Sequence, residues 1–548
     1  MTAPNFRGQI TLVFVLSLAV FQGTILWLDN VHIATANGLY KSLQAAPWIA
    51  NPSTARLDAS NYLYFPLYGL SCRLLDGLGI WRGVAWKQLA VLNAFWASVC
   101  VSFVYVFIHR VTGNARAAAL AACFHVGSGF VLLLAVINED IMPGYTLVFG
   151  AMALAALWFD RPTARRVIAV GALFTLGWLI EWRLMFPALP ALILALLMAP
   201  QSPRRRLALI GVLLVSVVST AGLVCLFWEG HNGAMGLHDI LWTGKGVATG
   251  WAGFSTDKLW ALLSGLSNYF LLTWVNTNPG TARDAALALS IPLILEIAIL
   301  AVATAALWPR RHDPRLRAIA AVFMGTAGAG TIFNFYSQPQ DPQMQINVMP
   351  WLTVAWGLLA AMAMGRGRVA LLVVLSVAPL AWNLASLGKS RGKDSTSVAA
   401  VAAIERQLPP ASTVFLYWGF ESIVAWQYAL WSHTWDWDGS ATVTPAPSAA
   451  PKFKWIAVTA DAIRRPQSTA DEHAARIKRD IDLALERGYR VVAGAFWEWN
   501  VAKLSDQLGA ISASGRAAAI HAMLHDSFEA RPVFMNDMTG PYYELKRR

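Results

Sequence analysis

Charged side chains are scarce: Asp, Glu, Lys and Arg make up 14% of the 548 residues, against roughly 25% in an ordinary soluble domain. A soluble multidomain enzyme is thereby excluded. Cysteine is nearly absent. Cys72, Cys100, Cys123 and Cys225 lie in apolar segments without ligand spacing, and the polar C-terminal part has none, so neither a disulfide framework nor a zinc site is implied. No GxGxxG or GxxxxGK[ST] loop stands at a strand end of that C-terminal part, which leaves it without a nucleotide site. A repeat of fixed period is also missing.

Apolar residues are abundant instead, at 56%. Lys plus Arg exceed Asp plus Glu by 43 to 31, a balance that would suit nucleic acid if it formed a continuous face. It does not. The basic residues sit in short clusters between long apolar runs, which is a signal of membrane topology, and no nucleic-acid partner is expected.

About eleven segments are long enough to cross a hydrocarbon core, allowing for tilt: 9–28, 88–108, 117–137, 145–159, 167–180, 184–199, 207–228, 285–308, 318–335, 346–364 and 369–387. The first has a basic flank at Arg7 and an Ala34-Thr35-Ala36 tripeptide downstream. Its length, and the distance to that tripeptide, favour an uncleaved anchor over a signal peptide. Segment 62–79 is the difficult case, being apolar but interrupted by Pro66, Arg73 and Asp76.

Charge bias resolves it. If 62–79 does not cross, the clusters at 109–116, 161–166, 204–206, 310–317 and 366–368 all share the side of Arg7. The positive-inside rule then places the N-terminus in the cytoplasm and 62–79 along the outer interface. Lys41, Arg56 and Arg82 in the first outer loop, 29–86, count mildly against this orientation. The outer side collects 29–86, 138–142, 181–183, 229–283, 338–345 and everything after Gly388. Chemistry is expected there.

The chain after Gly388 reads as a small α/β domain. Segments 398–407 and 471–487 are helical in pattern, while 413–417, 455–458, 490–492 and 542–545 are extended. The expected fold is therefore a polytopic α-helical membrane domain, residues 1–388, with an extracytoplasmic α/β domain, residues 389–548.

A lone carboxylate at a helix end is usually a solvated terminus, but two clusters on one membrane face suggest a shared site. Asp29-Asn30-Val31-His32 follows the first span, and Asn138-Glu139-Asp140 follows the third. A carboxylate near an apolar wall is a good base, because desolvation raises its basicity. Asp29 is the better base candidate. Glu139 and Asp140 either orient an acceptor or share a divalent cation with Asp29 through oxygen ligands, and the residues leave both open. No other cofactor is called for.

Glu181-Trp182-Arg183 occupies a tight outer turn. Arg183 either snorkels at the interface or presents its planar donors to a lipid phosphate. Lys245, in the glycine-rich 243–250 stretch, is a weaker cation of the same kind. Within the membrane, Glu296 and His125 are the ionisable groups of note, yet matched halves of the kind that mark a coupled transporter are not visible.

These motifs, taken in order, resemble the C-type (GT-C) integral membrane glycosyltransferases, with the protein O-mannosyltransferases and lipid A aminoarabinose transferases nearest in pattern. Asp29-Asn30 with 32–40 resembles their first outer loop, and Tyr64-Phe65-Pro66-Leu67-Tyr68-Gly69 their proline and aromatic element lying along the membrane. Asn138-Glu139-Asp140 through Pro143, Glu181-Trp182-Arg183 before Pro187, and Asn347-Val348-Met349-Pro350 continue the series. The departures are Asn30 in place of a second acid, and Gln343-Met344-Gln345 where relatives often carry a Lys or Arg.

The resemblance implies a sugar donor linked to polyprenyl phosphate, direct displacement with inversion, and a lipid, glycan or protein acceptor at the periplasmic face of a bacterial inner membrane. Asp29 would act as base, and Glu139 or Asp140 would position acceptor or sugar. Arg183 and Lys245 would stabilise the leaving phosphate, with His32, Tyr62 and Glu181 lining the substrates. The competing expectation is a polytopic lipid or solute transporter working through Glu296.

Overall fold

In the computed structural model the described residues are 4–28, 45, 48, 62–80, 85–181, 185–228, 258–272, 282–310, 312–336, 342–364, 368–389, 391, 407–408, 412–418, 454–458, 468–508, 515–536 and 540–548. The chain divides into two compact units. One holds Met1–Ala34 and Trp48–Lys393, the other Thr35–Pro47 and Asp394–Arg548.

The first unit is helical. Its elements are α1 (Pro4–Leu28), α2 (Tyr64–Gly77), α3 (Ala85–Thr112), α4 (Ala115–Gly127), α5 (Gly129–Val136), α6 (Ile141–Leu157), α7 (Ala164–Ile180), α8 (Ala188–Met198) and α9 (Pro203–Trp228). They continue with α10 (Lys258–Phe270), α11 (Ala282–Leu307), α12 (Pro314–Ile319), α13 (Gly325–Tyr336), α14 (Met349–Ala363) and α15 (Val369–Gly388), a π turn at Ala320–Met324 joining α12 to α13.

Each apolar segment expected to cross falls on helix. By length and composition, six described stretches suffice to span a bilayer: Phe6–Leu28, Lys87–Thr112, Pro203–Phe227, Pro314–Tyr336, Gln345–Ala363 and Val369–Gly388. Outward faces of these helices carry exposed Leu12, Leu16, Leu223, Phe227, Leu371 and Val374. Such surfaces suit hydrocarbon, where helices satisfy their own backbone bonds. The chain is a polytopic membrane protein.

The expected third span is a bent pair, α4 and α5, meeting at 65°. The bend is held by side chains far away in sequence. Asn383 on α15 donates to the Gly127 carbonyl at 2.6 Å and to the Phe270 carbonyl at 3.1 Å, and accepts from the Leu272 N–H at 2.7 Å. Gly129 admits α10 at close range, since a β-carbon there would stand 2.8 Å from the Phe270 carbonyl oxygen. Backbone groups freed by the break are thus paired inside the protein, as a low-dielectric setting demands.

Segment 62–79 forms the 14-residue α2, about 21 Å long and so shorter than the roughly 30 Å hydrocarbon core. One face buries Tyr64, Phe65, Tyr68 and Cys72, while Leu70, Leu74 and Leu78 are exposed. This two-sidedness matches an element lying along an interface.

The second unit contains a five-stranded sheet in the order β2-β1-β3-β5-β4 among the described residues. Its elements are β1 (Thr413–Tyr417), β2 (Lys454–Ala457), α16 (Ala470–Glu486), β3 (Arg490–Ala493), α17 (Val501–Leu508), α18 (Arg516–Ser527), β4 (Phe528–Asn536) and β5 (Gly540–Arg547). β1 pairs in parallel with β2 and β3, and β5 pairs antiparallel with β3 and β4. The central β1 is buried along its whole length, as expected of an unbroken apolar run in a parallel core.

A capping box between Thr469 and Glu472 starts α16. Its Ala474, Ile477, Ile481 and Ala484 pack into the core with Val414, Leu416, Val491 and Leu524. The expected strands and the second expected helix are present, and 398–406 lies outside the described residues. β4 is an addition. Pro532 interrupts its pattern, and Pro is tolerated because β4 is an edge strand whose register shifts between Pro532 and Phe534.

Candidate functional site

Two long-range hydrogen bonds set the direction of the bundle. Tyr105 donates to Gln9 at 2.8 Å, and Gln22 donates to the Val91 carbonyl at 3.2 Å, so α1 and α3 run antiparallel. The last turn of α1, which leads into Asp29, therefore lies at the same end as the first turns of α3. The opposite end is basic: Arg110 sits 5.3 Å over the Phe6 ring, and Arg315 pairs with Asp160 at 3.7 Å.

Asn93, on the early part of α3, connects that helix to the acidic motif and to α2. Its amide donates to the carbonyls of Ile137 and Glu139 at 2.7 and 2.6 Å, and its oxygen accepts from the Tyr68 hydroxyl at 2.5 Å. The Tyr64 hydroxyl adds a 3.3 Å bond to the Glu139 carbonyl, and the Tyr64 and Tyr68 rings stack with centroids 4.3 Å apart. The turn between α5 and α6 is thereby fixed from two sides. Asn138, Glu139 and Asp140 are all buried within it.

Charge reaches these tyrosines. Burial, followed by Tyr68 and the carboxylates of Asp140 and Glu139, pushes the Tyr64 hydroxyl well above its ordinary value of 10.0. Burial, then Cys72 and Asp140, does the same to Tyr68. Both act as neutral donors, Tyr64 to the Glu139 carbonyl and Tyr68 to the Asn93 side-chain oxygen.

Glu181 arrives by helix packing. A β-carbon on Gly144 would stand 2.9 Å from the Gly177 carbonyl oxygen, and one on Gly177 would stand 2.8 Å from that of Gly144. Only this small pair lets the α6 and α7 backbones approach so closely. The crossing brings the buried Glu181, which caps α7, to within 3.6 Å of the position a Gly144 β-carbon would take. The Leu63 N–H binds the Leu179 carbonyl at 3.0 Å, so Tyr62 joins the same end. Tyr62 is buried and interacts with Cys225 of α9; burial and that thiol raise its pKa.

Of the sequence candidates, Tyr62, Glu139, Asp140 and Glu181 are gathered at this acidic end. Asp29, His32, Arg183 and Lys245 lie outside the described residues. Glu296 is buried on α11 beside Tyr269, with no hydrogen-bond partner for its Oε1 among the described residues. His125 contacts Thr353 at 2.8 Å and the Cys100 sulfur at 3.7 Å. Among the described residues no group of three or more His, Cys, Asp or Glu could hold a metal ion.

Sequence reasoning missed Asn93. A signal exists: a lone amide in a long apolar run is costly in a bilayer unless it has partners.

No family model matches this sequence, and no curated protein matches it. Solved structures do match in fold, that of a polytopic helical domain followed by a small C-terminal sheet. The chain is similar to ArnT from Cupriavidus metallidurans. Bound to undecaprenyl phosphate, that protein matches with a TM-score of 0.55 and 15% identity over 98% of each chain. Its apo structure matches at 0.54 and 15% over 97% of each chain. At this identity the likeness is one of fold.

Proposed function

We propose that this protein is an inverting glycosyltransferase that moves a hexosyl or pentosyl group from a polyprenyl-phosphate donor to a lipid, glycan or protein acceptor. The reaction takes place at the periplasmic face of a bacterial inner membrane, with the N-terminus cytoplasmic and the α/β domain, residues 389–548, outside. The observation that carries this reading is the meeting of the α1 exit, Tyr62, the 138–140 turn and Glu181 at one end of the bundle. The fold shared with ArnT, crystallised with undecaprenyl phosphate, supports the class of donor.

In the proposed reaction Asp29 accepts the proton of the acceptor hydroxyl as its oxygen attacks the anomeric carbon. The bond from that carbon to the phosphate oxygen breaks, and the lipid phosphate departs with its electron pair. Glu139 or Asp140 positions sugar or acceptor hydroxyls. Arg183 and Lys245 match the charge gathering on the leaving phosphate, and His32, Tyr62 and Glu181 line the substrates. If a divalent cation were bound, Asp29 and the 138–140 carboxylates would be the oxygen ligands to hold it, and it would supply positive charge beside the reacting phosphate.

The reading is tested with purified protein in detergent and a panel of synthetic polyprenyl-phosphate sugars, measuring release of polyprenyl phosphate and sugar incorporation into total envelope lipid. Asp29→Asn is expected to abolish both without loss of protein. Near-normal turnover would remove Asp29 from the base role, and inactivity of the unmodified protein on every donor would remove the proposal.

A further inference from the structure

Helix α18 carries His521 and His525 four residues apart, so both project from one face. Their rings stand 4.3 Å apart, inclined at 43°. The Trp497 indole lies 4.4 Å from His525, and the Trp497 backbone is hydrogen-bonded to the His525 ring. An imidazole that donates one ring nitrogen to a backbone carbonyl keeps the lone pair of the other for a metal. A backbone carbonyl behind an imidazole is the usual means of orienting a metal ligand.

Both rings are half-buried, outside the core built by Ala517, Ile520 and Leu524 on the same helix. Two imidazoles at this spacing repel when both are charged, so neither fold stability nor solubility favours them. What they do offer is two imidazoles on one helix face with ring centroids 4.3 Å apart.

We infer that His521 and His525 form a two-imidazole site for a divalent transition-metal ion of borderline softness, Zn2+, Ni2+ or Cu2+. Among the described residues no third His, Cys, Asp or Glu joins them, so solvent or an incoming group completes the coordination shell. Such an open site binds reversibly, unlike a closed four-ligand structural centre. It belongs to the second unit and does not depend on glycosyl transfer.

Isothermal titration of Zn2+ into tag-free, chelator-treated full-length protein in detergent at neutral pH tests the site. One saturable heat is expected, and His521→Ala and His525→Ala should each weaken it by at least about tenfold. The electron paramagnetic resonance spectrum of added Cu2+ should show coupling to two imidazole nitrogens in the unmodified protein, a readout that needs no variant to fold. No saturable heat, undiminished binding in the double variant, or a Cu2+ spectrum without two nitrogens would each overturn the inference.

Discussion

Gly144 and Gly177 face one another across α6 and α7, the carbonyl oxygen of each filling the space a β-carbon of the other would need. This contact sets the position of Glu181 against α6. Gly177→Val forces the two helices apart, at a cost of about 1–3 kcal/mol for overpacking. Thermal unfolding in detergent should show the loss, and transfer activity should fall further than the folded fraction does. Unchanged activity with lowered stability would separate the crossing from the site.

Asn93 holds two backbone carbonyls and one tyrosine hydroxyl. Asn93→Leu takes this partner from the Ile137 carbonyl and the Tyr68 hydroxyl, each at a cost of about 1–3 kcal/mol, while the Glu139 carbonyl keeps its bond from Tyr64. Tyr68→Phe removes one bond of 2.5 Å, whereas Tyr64→Phe removes one of 3.3 Å. The expected order of damage in thermal unfolding is Asn93→Leu, then Tyr68→Phe, then Tyr64→Phe. A reversed order for the two tyrosines would mean that their stacked rings matter more than their hydroxyls.

Glu296→Gln keeps the shape of a side chain buried beside Tyr269 while removing its ability to ionise. Glycosyl transfer is expected to persist, because the proposed reaction gives Glu296 no role. A transporter working through this carboxyl would instead lose flux in reconstituted vesicles, and loss of transfer in the Gln variant would require a new account of α11.

Asp482 gives the second unit an acid-sensitive joint. Burial favours its neutral form, but hydrogen bonds from Lys478 at 2.6 Å and Arg547 at 2.7 Å, with the charges of both, outweigh this and hold its pKa below the ordinary 3.8. A carboxylate depressed on folding adds stability that is complete above its unfolded value and is lost as pH falls through the folded one. Hydrogen-exchange protection factors in α16 and β5, taken relative to the intrinsic rate at each pH, should therefore fall below about pH 4, and Asp482→Asn should abolish that part of the slope.

Much of the membrane domain was legible because long apolar runs announce spanning helices one at a time. The short, interrupted run at 62–79 could be set along the interface by charge bias alone, and α2 has the length and two-sided burial of such an element. The bend after Gly127 was not legible. Asn383, which holds it, is 256 residues away, and a polar residue in an apolar helix does not disclose which backbone it will reach. β4 escaped for a related reason, since only its place at the sheet edge makes Pro532 acceptable.

The order of residues by itself determined that this protein lives in a bilayer, which segments are helical, and that acidic groups follow the first and third apolar runs. Those properties are local, set by hydropathy and charge over a few turns. That the turn at 138–140, the start of α2 and the end of α7 meet was decided by tertiary structure alone. It depends on Asn93 pairing with carbonyls 44 and 46 residues onward and on two glycines from different helices coming into contact. Pairings of that range exist only once the chain has folded.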